Sequence, residues 1–249
     1  MNKIIDDKEL VDMLKQVDEF TLHVTEVIGF CPKEFVYRNV DNKFGIFNAP
    51  RHISSKIGTY VHKAISDFLR GKQVDLKKYE KLLDGDYYIE FDRIYNNFLA
   101  WYYTYKNKLS GIKSEISTSK KISDKVTLVG TADLIASFEM HSAVFDFKTS
   151  KSTRYIKKYE EQMGGYAFMF DNIQRGYAVI LGTDDFNMIE ININRGRSAF
   201  VAKLEKVLDE IEYIINGGNI DTSVSFICGM CNYRGLCDGA KIIREGDGE

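Results

Sequence analysis

The sequence predicts an α/β fold with a mixed central β-sheet flanked by helices. Three observations predict it: the apolar period changes from helical to alternating near residue 113, strand-like runs alternate with helical ones after residue 140, and only two prolines, Pro32 and Pro50, interrupt 249 residues. Taken in order, a helix is expected over 8–17, then a short helix carrying Cys31, then the helix KEFVYRN with Pro32 in its first turn. Over 55–69, Ile57, Val61, Ile65 and Phe68 fall on one helical face. A long aromatic-rich helix is expected over 87–108. Residues 113–122 and 126–137 read as strands joined by a turn at Ser123 and Asp124, and HSAVFDFKTSK reads as a short buried strand ending in charge. A helix over 154–171, strands at 177–181 and 188–193, and a helix over 196–215 complete the core. No repeat or low-complexity linker divides the chain, so a single domain over 1–249 is expected, with a helical N-terminal part and a cysteine-rich tail.

Composition narrows the class. Hydrophobic residues make up 44% and charged residues 28%, which fits a globular protein and excludes a disordered one. No uncharged apolar run approaches the ~20 residues of a membrane helix, and the start MNKIIDDKELVDMLK lacks the apolar stretch of a secretory signal. A cytoplasmic location without membrane contact is therefore expected. With 34 Lys and Arg against 36 Asp and Glu, any attraction to nucleic acid must be local or metal-borne.

The chemistry gathers around FDFKTS and GTADLI. Side chains alternate along a strand, so Asp146 and Lys148 share one face while Phe145 and Phe147 share the other. Asp133 holds a comparable place in the preceding strand. If those strands pair, two carboxylates converge about one amine, as a Mg²⁺ site for phosphodiester hydrolysis needs: hard oxygen ligands and a cation near the attacking water. A lone D-x-K is more often a solvated strand end. Here it comes with His62 upstream on a helix, and with Gln162 and Tyr166 four residues apart on one face of the helix that follows.

The ordered set Gly58–His62 (GxxxH), Gly130–Asp133 (GxxD), Asp146–Lys148 (DxK) and Gln162–Tyr166 (QxxxY) resembles the RecB-type branch of the PD-(D/E)XK nucleases. The resemblance implies a restriction-endonuclease-like core. It implies that His62, Asp133, Asp146 and the Phe147 carbonyl hold Mg²⁺ or Mn²⁺, that Lys148 assists the nucleophilic water, and that Gln162 and Tyr166 brace the site. Ala132 replaces the proline of the superfamily name, and Glu115 is a further candidate acid whose strand register the sequence leaves open. The implied activity is metal-dependent hydrolysis of DNA, as an exonuclease on single-stranded ends. Repair, recombination, CRISPR adaptation and viral DNA processing all stay open as pathways. A homo-oligomer, or partners from recombination or CRISPR systems, are the associations the resemblance allows.

Four cysteines, Cys31, Cys228, Cys231 and Cys237, read as metal ligands in a reducing compartment, serving either tetrahedral zinc or an iron–sulfur cluster. Their one-plus-three arrangement, with CPKEFVYR around Cys31, resembles the iron–sulfur nucleases that include the CRISPR-associated RecB-like exonucleases and the AddB nuclease domain. That resemblance implies a structural [4Fe-4S] cluster, with zinc as the alternative.

Two features invite other readings. In YNNFLAWYYTYK, Phe98, Trp101, Tyr102 and Tyr105 follow helical spacing, which favours core packing over base stacking. The Lys-rich stretch 148–159 lies beside the proposed catalytic strand, where it would meet a phosphate backbone. Rival functions are a non-catalytic DNA-binding or assembly module on the same fold, and a thiolate-cluster redox protein.

Overall fold

The computed structural model describes residues 5–46, 55–149, 155–223, 228 and 231–237. It is a mixed α/β structure with helices flanking a mixed sheet, as expected. Its elements are α1 (Asp7–Leu14), β1 (Phe20–His23), α2 (Val24–Ile28), α3 (Pro32–Phe44), α4 (Ser55–Leu69), α5 (Leu76–Leu82) and α6 (Gly85–Tyr105), followed by a single 3-10 turn. Then come β2 (Leu109–Lys121), β3 (Val126–Phe138), β4 (His141–Lys148), α7 (Ile156–Met169), β5 (Arg175–Leu181), β6 (Phe186–Ile191) and α8 (Ile193–Ile215). The chain gathers into two compact units: one of residues 53–120 and 129–201, the other of 1–52, 121–128 and 202–249.

In the larger unit β4 pairs antiparallel with β3 and parallel with β5, and β5 pairs antiparallel with β6. Parallel β4 and β5 need a crossover, which α7 supplies. β2 pairs with β3 off the main strand order. The aromatic periodicity of α6 is core packing: Phe98 and Trp101 are fully buried and meet Phe147 edge-on at 5.4 and 5.1 Å between ring centroids. Trp101 also meets Phe145, at 5.6 Å. Burying each such ring stabilises by roughly 1.5–3 kcal/mol. This aromatic layer fixes which face of β4 looks inward, and alternation then sends Asp146 and Lys148 to the opposite face.

Helices α7 and α8 touch where both carry glycine. A Cβ on Gly164 would overlap the backbone of Gly196, and one on Gly196 would overlap the Glu160 carbonyl. The crossing needs bare backbone on both sides, and it holds the helix that carries Gln162 and Tyr166.

In the smaller unit α1 starts at Asp6, whose carboxylate accepts from the Glu9 N–H at 2.8 Å. It buries Leu10, Val11 and Leu14. The Glu26 carboxylate accepts from the His23 N–H at 2.8 Å at the start of α2. Pro32 opens α3 as expected, and Gly45, at φ 65°, closes it in the left-handed conformation glycine favours. β1 borders β3, and the Phe20 N–H donates to the Lys125 carbonyl at 2.7 Å.

Some expectations need correction. Cys31 is not carried by a short helix: α2 ends at Ile28, and Cys31 is the N-cap of α3, in extended backbone at φ −126° and ψ 115°. β1 and α5 were not foreseen. β2 begins at Leu109, four residues before the expected strand, because a helix expected to reach residue 108 gives way after Tyr105.

Candidate active site

The pairing of β3 with β4 runs from Phe138 against His141 to Leu134 against Phe145. One residue further the Asp133 side chain takes over, its Oδ2 accepting from the Phe147 N–H at 2.7 Å. A carboxylate thus stands where a ladder carbonyl would be, and both strands turn their polar residues toward one place. Phe147 enters this arrangement through its backbone N–H.

On β4, Asp146 is only 2% exposed. Its Oδ1 accepts from Gln162 Nε2 at 2.9 Å. Its Oδ2 lies 2.5 Å from Lys148 Nζ as an ion pair, yet no hydrogen bond of acceptable angle reaches that oxygen. Lys148 Nζ donates instead to Gln162 Oε1 at 2.7 Å and sits 5.3 Å from the centre of the Tyr159 ring. Gln162 spends its second amide proton on the Tyr166 hydroxyl at 2.8 Å. Tyr159, Gln162 and Tyr166 recur at helical spacing, so one face of α7 covers the β4 strand end.

From α4, His62 Nδ1 lies 3.1 Å from Asp133 Oδ1. One donor atom each from His62, Glu115 and Asp133 fall within 4.8 Å of one another. Asp146 is outside that set and turned toward Lys148 and Gln162. The structure therefore brings together every expected nuclease residue, in two adjoining groups: His62 and Asp133 with Glu115, and Asp146 and Lys148 with Gln162 and Tyr166. Glu115, the further candidate acid of the sequence, is the third of the clustered donors.

The electrostatics fit a missing positive charge. Burial pushes the Asp146 carboxyl up, to about 6, against the pull of the Lys148 charge. Burial and the Asp133 charge raise Glu115 likewise. Burial would lower the His62 imidazole, but the hydrogen bond and charge of Asp133 outweigh it, so the net direction is up. Burial holds the Tyr166 hydroxyl well above its ordinary value. Two carboxyls that burial holds back from ionising, Asp146 and Glu115, are relieved by a divalent cation. One imidazole and hard carboxylate oxygens suit Mg²⁺ or Mn²⁺.

The four cysteines are all free thiols, in the smaller unit. The loop 231–237 is fixed to α3, where Tyr37 donates to the Leu236 carbonyl at 3.0 Å and stacks on Tyr233 at 5.7 Å. Burial pushes the Cys231 thiol up, and the Glu34, Cys31 and Cys237 charges add to that, against a hydrogen bond from the Tyr233 backbone. Of the Lys-rich stretch 148–159, residues 150–154 lie outside the described residues.

A mixed α/β core with carboxylates, an imidazole and a lysine gathered at the ends of two neighbouring strands is the architecture of the restriction-endonuclease-like enzymes. A sequence profile of the PD-(D/E)XK nuclease superfamily matches residues 21–238, and the chain belongs to that superfamily of hydrolytic nucleases. Among solved structures it is similar to SSO0001, at 18% identity and a TM-score of 0.55, over 93% of this chain and 95% of that one. It is also similar to a "putative exonuclease" from Eubacterium rectale, at 12% identity and a TM-score of 0.57, over 96% and 92% of the two chains. At such identities the likeness is one of fold. No curated protein sequence matches the chain. Among the described residues no helix is long and apolar enough to cross a membrane.

Proposed function

We propose that the protein is a Mg²⁺- or Mn²⁺-dependent deoxyribonuclease acting as an exonuclease on single-stranded DNA ends. Superfamily membership implies DNA as substrate. The observation that carries the metal dependence is the Asp146–Gln162–Lys148 array beside the clustered donors of His62, Glu115 and Asp133, while the exonuclease reading follows the motif resemblance and the fold likeness to a "putative exonuclease". These three, with Asp146 adjoining, would hold the cation. A divalent ion bound there lowers the pKa of a water ligand and neutralises charge on the scissile phosphate.

The protein's own residues supply the orientation. Gln162 fixes the Lys148 ammonium through Oε1 and the Asp146 carboxylate through Nε2, so acid and amine cannot rotate independently. Lys148 then holds the attacking water in line and stabilises charge developing on a phosphate oxygen. Tyr166 occupies the amide's remaining proton. Both strand ends are anchored by the Asp133–Phe147 hydrogen bond, so the site keeps its geometry before substrate arrives.

The single-domain organisation belongs to this reading, supported by a family match that runs through both compact units. So does a [4Fe-4S] cluster on Cys31, Cys228, Cys231 and Cys237. It is supported by the one-plus-three spacing and the docking of the 231–237 loop on α3. Iron and acid-labile sulfide in equal amounts after anaerobic purification would support it; a single zinc ion would replace it. Reduced thiols also favour a cytoplasmic setting.

The activity is tested with end-labelled linear single-stranded DNA, linear duplex and circular single-stranded DNA in Mn²⁺. Loss of the linear single strand with the circle spared is expected. Cutting of the circle would make the enzyme an endonuclease, and no cleavage of any substrate would favour a non-catalytic binding module.

A further inference from the structure

Strand β2 contains a backbone irregularity aimed at the site. Glu115 has φ 51°, a left-handed conformation that costs a non-glycine residue roughly 1–2 kcal/mol. Ser117 Oγ meets Thr131 Oγ1 across β2 and β3 at 2.8 Å, and the Glu139 N–H meets the Lys108 carbonyl at 3.2 Å. Between these two links the β2 side uses one residue more than the β3 side, an extra residue that the left-handed Gly111, at φ 60°, accommodates as a β-bulge; Glu115 is a second, non-glycine left-handed position in the same stretch. The neighbours of Glu115 on its own face of the strand, Lys113 and Ser117, are exposed, whereas Glu115 is half-buried. Counting back along β2 and forward along β3 from the Ser117–Thr131 pair sets Glu115 opposite Asp133.

Strain of this size persists only where surrounding groups hold it. The group here is Arg70, which directly follows α4. Its guanidinium donates to the Ser114 carbonyl at 2.8 Å and reaches the Glu115 carbonyl at 3.5 Å. A left-handed residue interrupts the ladder and leaves backbone carbonyls in need of partners, and this donor meets that need. His62, Ser66 and Arg70 follow one another at four-residue spacing, so one helical face carries both the imidazole and the clamp, about 12 Å apart along the axis.

We infer that Arg70 is a positioning residue: by holding the left-handed backbone of β2 at Ser114 and Glu115, it sets the Glu115 carboxylate beside His62 and Asp133 as a ligand of the divalent cation. The inference rests on reading that trio as a cation site. Helix α4 thus places two ligands, one directly and one through a strand it does not belong to.

The test is Mn²⁺ affinity of the full chain without DNA, measured from the electron paramagnetic resonance of free Mn²⁺, for wild type, Arg70→Met, Arg70→Lys, Glu115→Gln and the double variant R70M/E115Q. Arg70→Met keeps the aliphatic stem and should weaken binding about 10- to 100-fold, the range for lost orienting partners of metal ligands. Arg70→Lys, with one donor of the wrong shape, should lose several-fold. The double variant should bind no more weakly than E115Q alone, because the effect of Arg70 passes through Glu115. Wild-type affinity in R70M, or losses that add in the double variant, would overturn the role of Arg70 while leaving the cation site standing. Should R70M not fold, R70K decides: a several-fold loss supports the role and wild-type affinity overturns it. A wild-type chain that binds no Mn²⁺ would overturn the cation site and this inference together.

Discussion

Gln162 Oε1 accepts a hydrogen bond from Lys148 Nζ at 2.7 Å, and this contact makes an amide the hinge of the proposed catalytic array. Replacing Gln162 by Ala frees the ammonium and leaves Asp146 Oδ1, buried, without its donor. An unsatisfied buried acceptor costs about 1–3 kcal/mol. Gln162→Ala should lower urea-melt stability by that amount and slow DNA cleavage about tenfold or more. Unchanged stability and rate would remove the amide from the mechanism.

The cation cluster should report itself in stability. A ligand bound only by the folded chain at about 100 times its Kd adds roughly 2.7 kcal/mol. Mn²⁺ should therefore raise the melting temperature of the wild type, and EDTA should reverse the rise and abolish cleavage. His62→Ala and Asp133→Asn should melt at the same temperature with and without Mn²⁺. A shift that survives in both variants would place the ion elsewhere.

The α7–α8 crossing gives a prediction far from the chemistry. Gly164→Ala inserts a methyl group where the Gly196 backbone lies, so the helices must part. Forced overpacking costs roughly 1–3 kcal/mol and sometimes more. Because α7 carries Gln162 and Tyr166, activity should fall with stability, and adding Gly196→Ala should cost less than its single effect, since the two share one contact. Denaturant melts of the two singles and the double check this.

How legible the site was depended on whether geometry followed from local period. Asp146 and Lys148 could be placed on one face because alternation is a property of any strand, and the phenylalanines between and beside them supplied the buried side. Gln162 and Tyr166 followed from the helical repeat. Glu115 did not: nothing in the sequence around it marks a positive φ, and its aim depends on a left-handed backbone clamped by a residue 45 positions away. The same limit hid β1, four residues that form a strand only because β3 offers an edge. Cys31 was placed one element too early because Val24–Ile28 and Pro32–Phe44 are separated by three residues that no periodicity resolves.

The thiol loop makes a further prediction about roles. Cys31→Ser should lose the proposed cluster's visible absorption and lower stability, since it unfastens α3 from the loop that Tyr37 holds. The residues of the nuclease site lie in the other compact unit. Chain that remains folded should therefore keep its cleavage chemistry; cleavage lost in fully folded Cys31→Ser would make the thiols part of the reaction.

The most direct test compares wild type with Lys148→Met on end-labelled single-stranded DNA in saturating Mn²⁺, with Mn²⁺ affinity measured on the same preparations. Removing one electrostatic stabiliser of a transition state slows reaction about 10²- to 10³-fold. The account predicts a loss of that size in Lys148→Met with Mn²⁺ binding retained. Equal rates of DNA degradation by the two proteins would contradict it.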